Sequence, residues 1–216
     1  MKILLIGATG MIGSRVTAEA LGRGHEVTAA TRSGRADALP ENQALTVLAL
    51  DATVPGKVSQ AAAGHDVVIS AVSPPRDGSD PAAPLLATYK SLVEGLRIAG
   101  VHRLLVVGGA GSLKTASGQD RVDTPDFPAM YKAESLAQRE VLRLLRTEMT
   151  DLDWTYASPA DEIAPGERTG TFRLGGDDLL IAEDGTSFIS AEDYAVALVD
   201  EAEKSTAIRR RITVAY

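Results

Sequence analysis

Apolar and polar residues follow one another in blocks whose period switches repeatedly between strand and helix. Ile3-Leu4-Leu5-Ile6 is a short unbroken apolar run, the mark of a strand buried on both faces. From about Met11 to Arg23, Ile12, Val16, Ala20 and Leu21 fall along one face of a helix, which Gly22 and Gly24 end. The same reading predicts strands at residues 27–31, 45–50, 67–70, 104–107 and 154–156. Between them it predicts helices at 57–63, at 81–99 (Asp80 as cap, Pro81 at the first helical position) and at 129–146. Strand and helix alternate, so the expected class is α/β: a doubly wound parallel sheet with right-handed crossovers and helices on both faces.

The pattern loosens after Ser158. Residues 161–190 read as short strands and turns, including Phe172-Arg173-Leu174 and Leu179-Leu180-Ile181, and form a small C-terminal extension on the substrate side. Ser190-Ala191-Glu192-Asp193 resembles a capping box with aspartate in place of glutamate. It opens a last helix to about residue 203, and a final strand covers 212–216. No linker or repeat interrupts the chain, so residues 1–216 read as a single nucleotide-binding domain.

The first strand runs directly into Gly7-Ala8-Thr9-Gly10-Met11-Ile12-Gly13. A glycine-rich turn between strand and helix lets a diphosphate approach the backbone and rest on the unpaired N–H groups of the helix start. Gly7, Thr9, Gly10, Met11 and Ile12 are the candidate contacts. An NAD site places an acid at the end of the second strand, about twenty residues beyond the glycines. Here that position reads Thr31-Arg32-Ser33. Arg32, with Ser33 or Arg35, would pair with a 2′-phosphate, so the expected cofactor is NADP(H). Asp51-Ala52 would meet the adenine edge. Ala71-Val72 would let the backbone pass the ribose.

Composition narrows this picture. Net charge is -7 and aromatic residues make up 4% of the chain, which is the wrong surface for nucleic acid. There are no cysteines, so disulfides, thiolate metal sites and cysteine nucleophiles are excluded. The N-terminal apolar run stops at Gly7, too short for a signal peptide or a membrane span, and a soluble, cytoplasmic monomer or homodimer is expected. His25, His65 and His102 each precede a strand, at the edge away from the ligand, and no metal site is expected. Arg209-Arg210-Arg211 reads as a solvated charged face.

Gly7 to Gly13, Thr31-Arg32, Val107-Gly108-Gly109-Ala110-Gly111-Ser112, the run from Trp154 to Ala160 and Ile189-Ser190-Ala191-Glu192-Asp193-Tyr194-Ala195 together resemble the atypical short-chain dehydrogenases. Within them the chain is similar to the NAD(P)H-flavin reductases, relatives of biliverdin reductase B and of NmrA-like proteins. The resemblance covers essentially the whole chain. It implies a Rossmann fold, a bound dinucleotide with Gly108 beside it, and hydride transfer to a flavin, quinone or similar planar acceptor.

Short-chain dehydrogenases usually carry Tyr-x-x-x-Lys on the helix after the fifth strand. Here Tyr131 and Lys132 are adjacent, so on a helix they point about 100° apart. Reduction of a ketone needs an acid placed at the developing alkoxide. A flavin or quinone can take its proton from water, which leaves positioning as the protein's main task. Ser112 is a candidate donor near the nicotinamide, Tyr131 a pocket-lining residue, and Lys132 a ribose or substrate contact. Pro159 and Ala160 would shape the nicotinamide pocket. The loops at 73–79 and 112–125 are candidate substrate lids. The competing expectations are a non-catalytic NADP(H) sensor of the NmrA-like type and a sugar-nucleotide epimerase.

Overall fold

The structure, a computed structural model, describes residues 1–74 and 78–216. In chain order the elements are β1 (Lys2–Ile6), α1 (Met11–Gly22), β2 (Glu26–Thr31), β3 (Leu45–Ala49), α2 (Pro55–Ala62), β4 (Val67–Ser70), α3 (Ala82–Ala99) and β5 (Arg103–Val107). A 3-10 turn (Arg121–Asp123), α4 (Ala129–Glu148), β6 (Asp153–Pro159), β7 (Glu162–Ala164), β8 (Arg173–Gly175), β9 (Phe188–Ser190), α5 (Ala191–Lys204) and β10 (Arg210–Ala215) follow.

Eight strands form one sheet in the order β3-β2-β1-β4-β5-β6-β10-β8, and β7 pairs with β9 in a separate two-stranded sheet. Every pairing in the large sheet is parallel except β10 with β8. This is a Rossmann-like α/β fold. The chain runs outward from β1 on one side through β2 and β3, then returns to place β4 on the other. The topological switch therefore lies between β1 and β4, where such sheets bind ligands at their carboxyl ends.

Two cores flank the sheet, and alternation along each strand feeds both. Ile3 and Leu5 join Val16 and Ala20 of α1 and Tyr194 and Leu198 of α5. Leu4 and Ile6 join Leu92 and Leu96 of α3 and Val141 and Leu145 of α4. The unbroken apolar run of β1 is thus a consequence of cover on both faces.

The predicted elements match within a few residues at their ends, with three differences of substance. Leu179-Leu180-Ile181 is not a strand: the Leu179 N–H donates to the Lys114 carbonyl at 2.8 Å, tying this segment to the loop after β5. The Ser190 hydroxyl accepts from the Asp193 N–H at 3.0 Å, but the Asp193 carboxylate does not return the bond and turns to Thr169, Gly170 and Tyr216. The last strand starts earlier than predicted, at Arg210, and draws Arg211 into the interior. Of the loop at 73–79, Pro75, Arg76 and Asp77 lie outside the described residues. Among the described residues no helix is long and apolar enough to cross a membrane.

Candidate active site

The turn from β1 into α1 is built from backbone contacts too close for side chains. Gly7 has φ +82°, and a Cβ there would lie 2.5 Å from the Ala71 carbonyl oxygen. A Cβ on Gly13 would lie 2.1 Å from the Gly7 oxygen and 2.8 Å from Ala8 Cα. These two glycines let the loop fold against β4 and let α1 start at once. Gly10 caps α1 with no side-chain hydrogen bond, and the first turn holds no acid. Thr9 and Gly10 are exposed and Met11 is 44% exposed, so the uncapped N–H groups at this end of the helix, with the positive end of its dipole, face the surface. Ile12 packs against the core and can reach a ligand only through its backbone.

The ends of β2, β3 and β4 extend this rim. Arg32 and Ser33 are exposed, and Arg32 has no ion pair among the described residues. The Ser33 hydroxyl accepts from the Arg35 N–H at 3.3 Å, closing the turn after β2. Asp51 is exposed, and one carboxylate oxygen accepts from the Thr53 hydroxyl at 2.6 Å and the Thr53 N–H at 3.1 Å. These hydrogen bonds hold its carboxyl below the usual range. Ala52, Ala71 and Val72 are each half-buried along the same edge.

On the other side of the switch, Gly108 continues β5 over β6. Its N–H donates to the Ala157 carbonyl at 2.7 Å, and a Cβ would fall 2.1 Å from the Tyr156 ring. Tyr156 is fully buried; its hydroxyl accepts from the Gly109 N–H and donates to the Gln138 carbonyl, both at 3.1 Å. Burial pushes its pKa up to about 12, so it stays a neutral brace. The Ser158 hydroxyl donates to the Gly109 carbonyl at 2.9 Å. Pro159 and Ala160 end β6 with their side chains buried, and Ala160 belongs to the core; these residues offer a ligand backbone and shape, not functional groups.

The candidate catalytic residues lie on two elements, Ser112 in the loop after β5 and Tyr131 and Lys132 at the start of α4. Ser112 is 7% exposed, and its hydroxyl and carbonyl accept from Arg211 at 2.8 and 3.0 Å. Tyr131 (49% exposed) and Lys132 stand open on the first turn of α4. The two show no hydrogen bond to each other.

Arg211 overturns the expectation of a solvated arginine run. Its side chain is 2% exposed and also donates through Nε to Asp177 at 2.8 Å. Burial pushes the Asp177 carboxyl up, but Arg146 and Arg211 together hold it below the usual range. Arg211 thus ties β10 to the loop after β5 and to the extension. Arg211→Met removes every one of these bonds while Asp177 keeps Arg146. The expected cost is about 2 kcal/mol, measured as a lower urea midpoint at unchanged slope, with Arg211→Lys recovering part of it.

A cavity of about 250 Å³ opens just beyond β6, lined by Thr115, Arg121, Thr124, Asp126, Asp161 and residues of the segment 179–187. Thr115, Arg121 and Thr124 of the loop at 112–125 are among its lining residues, and Arg121 is one that local pattern did not single out. The larger cavity, about 640 Å³, lies at the opposite amino edge among His65, His102, Arg103 and Asp153, away from the ligand-binding edge of the sheet. His25 and His65 are there too, bonded to Glu203 and Thr28 at 2.8 Å. Among the described residues no group of three or more His, Asp or Glu side chains could hold a metal ion.

The geometry fits a dinucleotide: a backbone cradle that a Cβ would fill, an uncapped helix start and an arginine without an ion pair among the described residues share one edge of the sheet. A family model described as NAD(P)H-binding matches residues 7–210. A crystal structure from Burkholderia pseudomallei, provisionally named an exported protein, is 50% identical with both chains covered completely and a TM-score of 0.88. One from Bacteroides thetaiotaomicron, provisionally named an epimerase, is 40% identical over 100% of this chain and 96% of its own, with a TM-score of 0.90. One from Streptococcus pneumoniae, provisionally named an NADH-flavin reductase, is 36% identical over 100% and 99%, with a TM-score of 0.81.

Proposed function

This chain belongs to the NAD(P)H-binding family, and on that premise we propose that it is a reductase that uses NADPH to reduce a flavin, quinone or similar planar acceptor. The observation that carries the choice of acceptor is the exposed Tyr131-Lys132 pair, with no hydrogen bond between the two, in a chain that also builds a glycine cradle. A site with a cofactor cradle and no assembled proton relay suits acceptors that need orientation more than acid catalysis. When bound, the reduced nicotinamide supplies the hydride.

We assign the chain's own residues the following roles. The N–H groups at Met11 and Ile12, with Thr9 and Gly10, hold the diphosphate at the start of α1. Arg32 and Ser33 take the 2′-phosphate, and Asp51 and Ala52 the adenine edge. Ala71, Val72 and Gly108 give the ribose and nicotinamide a backbone wall, closed by Pro159 and Ala160. Lys132 contacts the nicotinamide ribose or the acceptor, Tyr131 borders the acceptor, and the Ser112 hydroxyl, oriented by Arg211, donates a hydrogen bond toward the reacting end.

The pneumococcal relative is named for NADH; Arg32, exposed where an NAD site carries an acid and without an ion pair among the described residues, is the reason for reading the phosphorylated cofactor here. Arg32→Ala should weaken NADPH binding by roughly ten- to a hundredfold, the loss of about 1.5–3 kcal/mol expected for hydrogen bonds to a charged group, and leave NADH binding unchanged. Fluorescence titration of both cofactors checks this; an unchanged NADPH preference would remove the 2′-phosphate assignment.

The same missing relay favours a second reading, a dinucleotide-dependent sensor without turnover. A broad acceptor panel separates the two: NADPH binding with no acceptor-dependent oxidation supports the sensor. Epimerase chemistry, suggested by the name of the Bacteroides relative, needs a proton relay and a substrate domain, and is the weakest of the three.

A further inference from the structure

The cavity beyond β6 has an unusual wall. Arg121 is held on three sides of its guanidinium edge: Nε donates to both Asp161 oxygens at 3.0 Å, Nη2 pairs with Asp161 at 2.9 Å, and Nη1 meets the Thr124 hydroxyl and Asp126, the latter at 3.3 Å. The guanidinium carbon lies over the Phe127 ring, 5.4 Å from its centroid. The side chain is 11% exposed and forms part of the cavity wall. With the Nε–Nη2 edge turned to Asp161 and Nη1 to Thr124 and Asp126, the part of Arg121 left for a ligand in the cavity is a flat face of the guanidinium. A guanidinium face stacks on conjugated rings. A carboxylate or phosphate needs the N–H edge instead, and Asp161 already occupies it.

Charge points the same way. Two carboxylates, Asp126 and Asp161, border this cavity against one guanidinium, and Asp126 is largely open to solvent, with its side chain 76% exposed. An acceptor that carries a phosphate tail would add like charge at this rim.

Building on the reductase reading above, we infer that Arg121 is the stacking platform of the acceptor site, and that the site selects uncharged conjugated rings, such as an unphosphorylated flavin or a neutral quinone, over phosphorylated ones. Arg121 is a specificity-determining residue, fixed by Asp161 and Phe127. Cation–ring stacking holds the acceptor, and the rim carboxylates discriminate against anions.

The test is an equilibrium titration of the full chain, saturated with NADP+, with riboflavin and with FMN at low salt, followed by flavin fluorescence. Riboflavin should bind at least about fivefold more tightly than FMN, the scale of one unscreened charge pair near a protein surface. The gap should narrow with added salt and in Asp126→Asn. Arg121→Lys, which keeps the charge and removes the planar face, should weaken riboflavin binding and leave NADP+ binding unchanged; Arg121→Gln should weaken it further. The inference is overturned if FMN binds as tightly as riboflavin, if neither flavin binds, or if Arg121→Lys binds riboflavin like the parent protein. Turnover is a separate readout: the expected binding pattern without any NADPH oxidation would sink the reductase reading and leave the stacking site standing.

Discussion

Gly13→Ala is expected to abolish dinucleotide binding and to lower stability by about 3 kcal/mol, the upper end of the usual cost of overpacking. The new Cβ would sit 2.1 Å from the Gly7 carbonyl oxygen and 2.8 Å from Ala8 Cα. Both are backbone atoms, so no side chain can swing aside, and the turn must open or α1 must shift. Either movement takes the helix start out of the position in which it would face a diphosphate. Gly10→Ala is the informative partner. Gly10 has φ −70°, and its Cβ would make only an ordinary contact, 3.5 Å, with the Gly7 oxygen. The protein itself tolerates alanine there, so stability should change by less than about 0.5 kcal/mol, whereas a diphosphate lying against the loop would meet the new methyl group. Thermal melts and NADPH titrations of the two variants separate a structural glycine from a ligand-facing one. A Gly10→Ala protein that binds NADPH like the parent would place the diphosphate elsewhere.

The second large effect is expected at Asp193. This carboxylate is fully buried at the start of α5. It accepts from the Gly170 N–H at 2.7 Å, the Thr169 N–H at 3.2 Å, the Thr169 hydroxyl and the Tyr216 hydroxyl at 2.8 Å. It therefore clamps the extension and the end of β10 onto α5. Asp193→Ala should cost about 3 kcal/mol, which lowers the melting temperature of a chain this long by roughly 6–12 °C. The effect should depend on pH. Burial pushes the Asp193 carboxyl up, but the bonds from Thr169, Gly170 and Tyr216 outweigh it, and its folded pKa lies below the ordinary value. A group depressed in the folded state contributes in full above its unfolded pKa, about 3.9, and loses that contribution as pH falls through the folded pKa. The difference in stability between parent and variant should thus be full at neutral pH and shrink below about pH 4. A difference that stays constant into acid would mean that the clamp is not ionic.

The sheet and its helices could be read from the chain because their signals are local. Val67-Val68-Ile69 is apolar throughout because α1 and α5 cover one face and α2 to α4 the other. Gly7 and Gly10 mark their turn within a few residues of the strand that leads into it. The site's supports were less visible, since each depends on a distant partner. Arg211 sits in what looks like a charged run, and its partner Ser112 is 99 positions away. Asp193 fits a capping box, and only the fold brings Thr169, Gly170 and Tyr216 around it. Arg121 lies in a polar loop without periodicity, and Asp161 reaches it from 40 residues further on. Tyr131 and Lys132 show the reverse: their adjacency, a departure from the usual Tyr-x-x-x-Lys spacing, is plain in the sequence itself.

The central claim is that this chain moves hydride from NADPH to a planar acceptor without an assembled proton relay. It is tested most directly by following nicotinamide absorbance as the protein is mixed with NADPH and riboflavin or a neutral quinone. The account predicts oxidation that depends on both protein and acceptor, proceeds faster with NADPH than with NADH, and persists when Tyr131 is replaced by phenylalanine. Tight NADPH binding with no acceptor-dependent oxidation above the uncatalysed rate would contradict it.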